Sequence, residues 1–221
     1  MEGKAEAEAY HYEPLELHVG MDYFKAGKET EYWKAFKAAL TTTKNELVHL
    51  QEAVAESDKN AAMIFSSHVV ILEDEDLLYE IQNAILCDRM YPEIAIEACF
   101  GQQIAELEKV RDEMIAQRLA DLYDVKRRLL CAYLGRQEEN LLQLKRDAII
   151  VANNLLPSDV ATMDRKHVKG IVIEQNLVNS HVAVLAKGLG IPMLVGVESA
   201  VEKIKTGTKL VIDAFSGELI F

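Results

Sequence analysis

The chemistry most readily suggested by this chain lies in Asn179-Ser180-His181-Val182-Ala183-Val184-Leu185-Ala186-Lys187-Gly188-Leu189-Gly190-Ile191-Pro192, where a histidine directly follows two residues of helix-capping type. An imidazole with its ordinary pKa of about 6.5 offers, near neutrality, both a nucleophilic nitrogen and one that binds a proton. The pattern predicts a short helix opening at His181. The first amides of a helix lack internal acceptors and form the positive end of its dipole. An anion carried on the ring would be stabilised there, so carrier and cradle would come from one segment. Such a residue suits phosphoryl transfer through a covalent phosphohistidine, which needs positioning and charge stabilisation more than acid-base help. Asn179 and Ser180 are candidates to orient the ring or to hydrogen-bond the phosphate; plain helix capping accounts for both equally well.

Other familiar chemistries find no support. His11, His18, His49 and His167 form no HxxxH or HExxH spacing, and Cys87, Cys99 and Cys131 are odd in number and widely separated, so no metal site and no disulfide framework is expected. Gly188 and Gly190 do not complete GxGxxG, and no GxxxxGK[ST] loop occurs; they are read as ending the helix and turning the chain.

The elements that must position His181 fall into two textures. From about Thr30 to Leu134 there is one proline and one glycine, and apolar residues return every three or four positions, which predicts helices. They are placed at Glu31 to Glu56, ending near Leu72, at Asp74 to about Met90, and as one long helix from Pro92 to Leu134 with Gly135 as its cap. After Arg146 come short β-rich runs, Ala148 to Ala152, Gly170 to Ile173, Pro192 to Val195 and Lys209 to Asp213, interleaved with helical segments after Pro157 and at His181. A hairpin is expected around Phe215-Ser216-Gly217, and the runs Ala9 to Tyr12 and Leu15 to Val19 are expected to rejoin the same sheet. The fold class is therefore mixed α+β and α/β: a β/α domain from residues 1–22 and 145–221, with a helical bundle, residues 23–144, inserted into it.

Composition bounds the partners. The chain has 221 residues, and 36 acidic against 24 basic residues give a net charge of −12, which disfavours nucleic acid and favours a basic protein partner. No apolar run reaches the roughly 18 residues needed to span a bilayer, and Met1 to Glu6 does not read as a signal peptide, so no membrane association and a cytoplasmic location are expected.

Two separated stretches carry a family resemblance. Ile64-Phe65-Ser66-Ser67-His68-Val69-Val70-Ile71-Leu72-Glu73-Asp74-Glu75-Asp76-Leu77 is similar to the helical region, and Ile149 to Ala152, Leu155 to Asp159, Gly170 to Val172, Ser180-His181, Gly190 to Pro192, Val195-Gly196 and Leu210 to Ala214 are similar to the swivelling phosphohistidine domain, of enzyme I of the bacterial phosphotransferase system. The resemblance implies that His181, through Nε2, relays a phosphoryl group to HPr, a small phosphocarrier docked on the helical part. It also implies that His68, Val70, Ile71, Glu75, Asp76 and Leu77 belong to the docking surface; for His68, a packed or solvent-facing helix histidine is an equal alternative. Exposed carboxylates are equally at home at any helix start. Phosphoenolpyruvate and Mg2+ would belong to a barrel domain acting in cis or in trans, leaving no cofactor in this chain and no use of phosphoenolpyruvate by it alone. As dimerisation in the family belongs to that barrel, a monomer is expected.

The chain departs from the family near the histidine. Gly-Gly-Arg-Thr-Ser-His is usual; here stand Asn176, Leu177, Val178, Asn179, Ser180 and His181. Leu156 replaces a threonine before Pro157-Ser158, Glu174 an aspartate, and Met1-Glu2-Gly3 a Ser-Pro-Gly. These changes remove backbone freedom, a cation and a hydroxyl. Two alternatives therefore stand beside the carrier: a protein-binding or regulatory module that has lost catalysis, and the swivelling domain of a related phosphoenolpyruvate-utilising enzyme.

Overall fold

The structure, a computed structural model, describes the chain apart from residues 1–2, 16, 18, 21, 111, 137–140, 142–143 and 176–179. The chain divides into two compact units, one formed by Met1–Leu15, Ala53–Ala61 and Glu139–Phe221, the other by Glu16–Glu52 and Ala62–Glu138.

The first unit is built on a six-stranded sheet. Its strands are β1 (Lys4–His11), β2 (Ala148–Ala152), β3 (Val168–Ile173), β4 (Met193–Leu194), β5 (Lys209–Asp213) and β6 (Glu218–Ile220), in the order β4-β3-β2-β1-β5-β6. Pairing is parallel from β1 through β2 and β3 to β4, and antiparallel from β1 to β5 and from β5 to β6. All five residues of β2 are buried, the signature of a strand covered on both faces. Ile149 and Val151 join Val172, Leu194, Leu210 and Ile212 in a cluster with Ala200 and Ile204, while Ile150, Ile171 and Ile173, of the opposite parity, are equally enclosed. Gly170 permits a close approach, since a Cβ there would lie 2.3 Å from Ile212 Cδ1. Three short helices accompany the sheet: α6 (Pro157–Ala161), α7 (His181–Gly188) and α8 (Ala200–Lys203). The run Leu15 to Val19 adds no strand among the described residues; β1 ends at His11, where the chain leaves the sheet.

The helices are α1 (Glu29–Ala55), α2 (Lys59–Leu72), α3 (Glu75–Leu86), α4 (Pro92–Leu107) and α5 (Glu113–Leu134). The single long helix expected after Pro92 is thus two. Asp112 opens the second by accepting a hydrogen bond from the Met114 amide at 2.8 Å, and the apolar Val110 and Met114 lie exposed at the break. A stripe that drifts around one long helix and a pair of helices packed on each other produce the same periodicity. Pro92 does occupy the first turn of α4, and Gly135 ends α5 with φ of 62°, its amide bonded to the Cys131 carbonyl.

Candidate active site

Strand β3 carries the chain toward the candidate histidine. At its end the amide of Glu174 donates to the Ala152 carbonyl, and that of Gln175 to the Asn153 carbonyl, both at 3.1 Å. The positions that depart most from the family, Asn176 to Asn179, lie outside the described residues, and the Asn179 candidate with them. Ser180 is then the N-cap of α7: its backbone is extended (φ −80°, ψ 161°) and its Oγ accepts from the Ala183 amide at 3.2 Å. His181 is the first helical residue.

The apolar pattern of α7 explains which way this histidine faces. Val182, Ala183, Leu185 and Ala186 are buried, so the helix turns the 181, 184 and 187 line outward. His181 is half-buried on that line, Val184 is exposed, and Lys187 is exposed in the last turn. The helix ends where the Ile191 amide reaches back to the Ala186 carbonyl at 2.8 Å, with Gly190 in the left-handed region at φ of 70°.

Helix α6 packs against α7. Its entry is fixed by Asp159, which accepts from the Leu156 amide at 2.8 Å through one carboxylate oxygen and from the Tyr12 hydroxyl at 2.9 Å through the other. Tyr12 and Asp159 are both buried, so this is a fully enclosed polar tie between the end of β1 and α6. The sequence reading did not find it, although Leu-Pro-Ser-Asp is the pattern of a proline-started helix with a carboxylate at its third position. Glu174, which stands where the family has an aspartate, accepts through Oε1 from the Val201 amide at 2.8 Å.

In the helical unit the structure corrects the expected docking surface. His68 is fully enclosed. Its Nε2 lies 3.0 Å from Asp121 Oδ1, its Nδ1 3.9 Å from Asp124 Oδ2, and its ring meets Phe65 edge to face at 5.5 Å. Asp124 in turn lies 3.7 Å from Arg127 and 3.9 Å from Arg128. His68 thus belongs to an internal ionic cluster and is no surface residue, and Ile71 and Leu77 are core residues as well. The physical reason is the helical period: Ile64, Phe65, His68, Ile71 and Leu72 share one face of α2, spaced by three and four. That spacing was visible in the sequence, as was the Asp121 and Asp124 pair one turn apart on the facing helix. Val70 points the other way and is exposed, as are Glu75 and Asp76 at the start of α3, which Asp74 caps by accepting from the Leu77 amide at 2.9 Å. Met63 and Tyr79, which the sequence reading passed over, are also exposed apolar side chains of α2 and α3. Among the described residues no group of three or more His, Cys, Asp or Glu side chains could hold a metal, and no helix is long and apolar enough to cross a membrane.

Comparison with known proteins decides the family. Residues 1–118 match the model of the PEP-utilising enzyme N-terminal domain, and residues 144–217 that of the PEP-utilising enzyme mobile domain. The chain belongs to the phosphoenolpyruvate-utilising enzyme family. Among relatives of this family, the phosphoenolpyruvate-protein phosphotransferase of Bacillus subtilis is 32% identical over 219 residues, and that of Priestia megaterium 33% over 220; each alignment covers 99% of this chain and 38% of the relative. The chain therefore spans well under half the length of these relatives. The NMR solution structure of Enzyme I (nEIt) superposes with a TM-score of 0.76 at 27% identity, over 100% of this chain and 89% of that one. The N-terminal domain of Enzyme 1 - Nitrogen does so with a TM-score of 0.66 at 23% identity, over 99% and 90%, and that likeness concerns the fold alone.

Proposed function

We propose that this chain is a phosphocarrier module in which His181 takes a phosphoryl group from a donor and passes it to a histidine of a small HPr-like carrier. The observation that carries this reading is the placement of His181 as the first residue of α7, on the half-exposed outward line of the helix, within the region matching the family's mobile domain. In each transfer a ring nitrogen of one histidine attacks phosphorus as the phosphorus–nitrogen bond to the other breaks; the proton the attacking ring gives up is matched by the one the departing ring regains. Val70, Glu75 and Asp76, with Met63 and Tyr79, supply an exposed apolar and acidic surface suited to docking a basic carrier. Phosphoenolpyruvate as first donor belongs to the part of the longer relatives that this chain does not span. A monomer and rigid-body movement of the His181-bearing unit between donor and acceptor are part of the same proposal.

The replacement of Gly-Gly-Arg-Thr by Asn176-Leu177-Val178-Asn179 favours one competing reading, a docking module that has lost the transfer step. Mixing the chain with phosphorylated HPr, and following acid-labile phosphate by intact mass beside His181→Ala, separates the two. The carrier reading expects label on the wild type and none on the variant. HPr binding without label would establish the docking module, and equal label on both proteins would contradict His181.

A further inference from the structure

We infer that Glu174 is a positioning residue for His181, holding the root of the loop that leads to the histidine against the turn that opens α8; the inference rests on the phosphocarrier reading.

Helix α8 has only four residues, and its N-cap, Ser199, lies in the left-handed region at φ of 57° and makes no side-chain capping bond. A non-glycine residue there is strained, and the first amides of the helix need acceptors from elsewhere. One comes from 27 residues earlier in the chain: Glu174 Oε1 accepts from the Val201 amide at 2.8 Å. Two backbone bonds run beside it, from the Val197 amide to the Ile173 carbonyl and from the Gly196 amide to the Gln175 carbonyl, both at 3.1 Å. Residues 196 to 201 are thus laced to residues 173 to 175 by three bonds, and the Glu174 bond is the one made by a side chain. His181 follows seven positions after Glu174, so the chain sets out toward the histidine from the point at which this carboxylate is anchored. Glutamate has the reach for this from the strand end, whereas alanine would leave the Val201 amide without this acceptor and the strained Ser199 turn with the two backbone bonds alone.

The test compares Glu174→Ala with Glu174→Gln, whose amide oxygen still accepts the bond. With phosphorylated HPr as donor, Glu174→Ala is expected to lower kcat by about tenfold or more with KM within about twofold, because a misplaced nucleophile loses rate while docking elsewhere is untouched. Glu174→Gln is expected to keep most of the rate. Wild-type kcat in Glu174→Ala, or an equal loss in both variants, overturns the inference. The His181 ring signals by NMR give a second readout that needs no transfer: they are expected to shift in Glu174→Ala and to stay in place in Glu174→Gln, and unchanged signals in both overturn it. A wild-type chain that takes no label would sink the phosphocarrier reading, with the ring signals still deciding the role of Glu174. Should Glu174→Ala not fold, slow hydrogen exchange of the wild-type Val201 amide, kept in Glu174→Gln and lost in Glu174→Asp with a matching shift of the His181 ring, supports the inference; fast exchange in the wild type overturns it.

Discussion

His181 and His68 are the same side chain in two opposite settings. His181 begins a helix, half-buried, on the line that the helix turns away from its core. His68 lies in the middle of a helix, fully enclosed, with a carboxylate 3.0 Å from Nε2 and no hydrogen-bond partner among the described residues at Nδ1. Reactivity toward a second protein requires access to the ring; His181 is partly exposed and His68 is not exposed at all. Both histidines stood in stretches resembling the same family, and only their position relative to the apolar face of their helices separates a candidate for chemistry from a structural residue.

The largest expected effect is at His68. His68→Ala removes the imidazole from between Asp121 and Asp124 and leaves a cavity among buried charges, which should cost about 3 kcal/mol, read as a lowered urea midpoint. A loss below about 0.5 kcal/mol, the size usual for exposed sites, would erase the contrast with His181. A smaller effect is expected at the other pole: Ser180→Ala removes the bond to the Ala183 amide and should cost about 1 kcal/mol while also slowing phosphate acceptance at His181. An unchanged midpoint would show that Ser180 is no effective cap.

The smallest effect concerns pH and bears on neither histidine, which makes it a control for the sheet that carries α7. The hydrogen bond from the Lys4 ammonium, at 2.7 Å, and the amides of Ser216 and Phe215 hold the Asp213 carboxyl down to about 2 from its ordinary 3.8. A carboxyl depressed by folding stabilises above its unfolded pKa and loses that contribution as the pH falls through its folded one. Stability of the β5–β6 hairpin should therefore decline between about pH 4 and about pH 2, and Asp213→Asn should flatten that decline. An equally steep acid limb in the variant would assign it to other carboxylates.

What the sequence disclosed divides along a physical line. Elements with local signatures were legible: the β2, β3 and β5 runs, the Pro92 start and Gly135 end of helices, and the His181 helix with its Ser180 cap all lie where their own residues put them. Features that depend on distant partners were not. The break between α4 and α5 is invisible to a periodicity that both arrangements share. The Tyr12–Asp159 tie joins residues 147 apart in the chain, and the Glu174–Val201 bond residues 27 apart. His68 is of another kind: its apolar neighbours at three- and four-residue spacing already marked the inner face, in keeping with the packed-histidine reading that stood beside docking.

The most direct measurement is NMR of the ring nitrogens of all six histidines before and after exposure to phosphorylated HPr. The account predicts phosphorus coupling at His181 alone, with the His68 ring signals unmoved. Coupling at any other histidine, or label with the His181 ring unchanged, would contradict it.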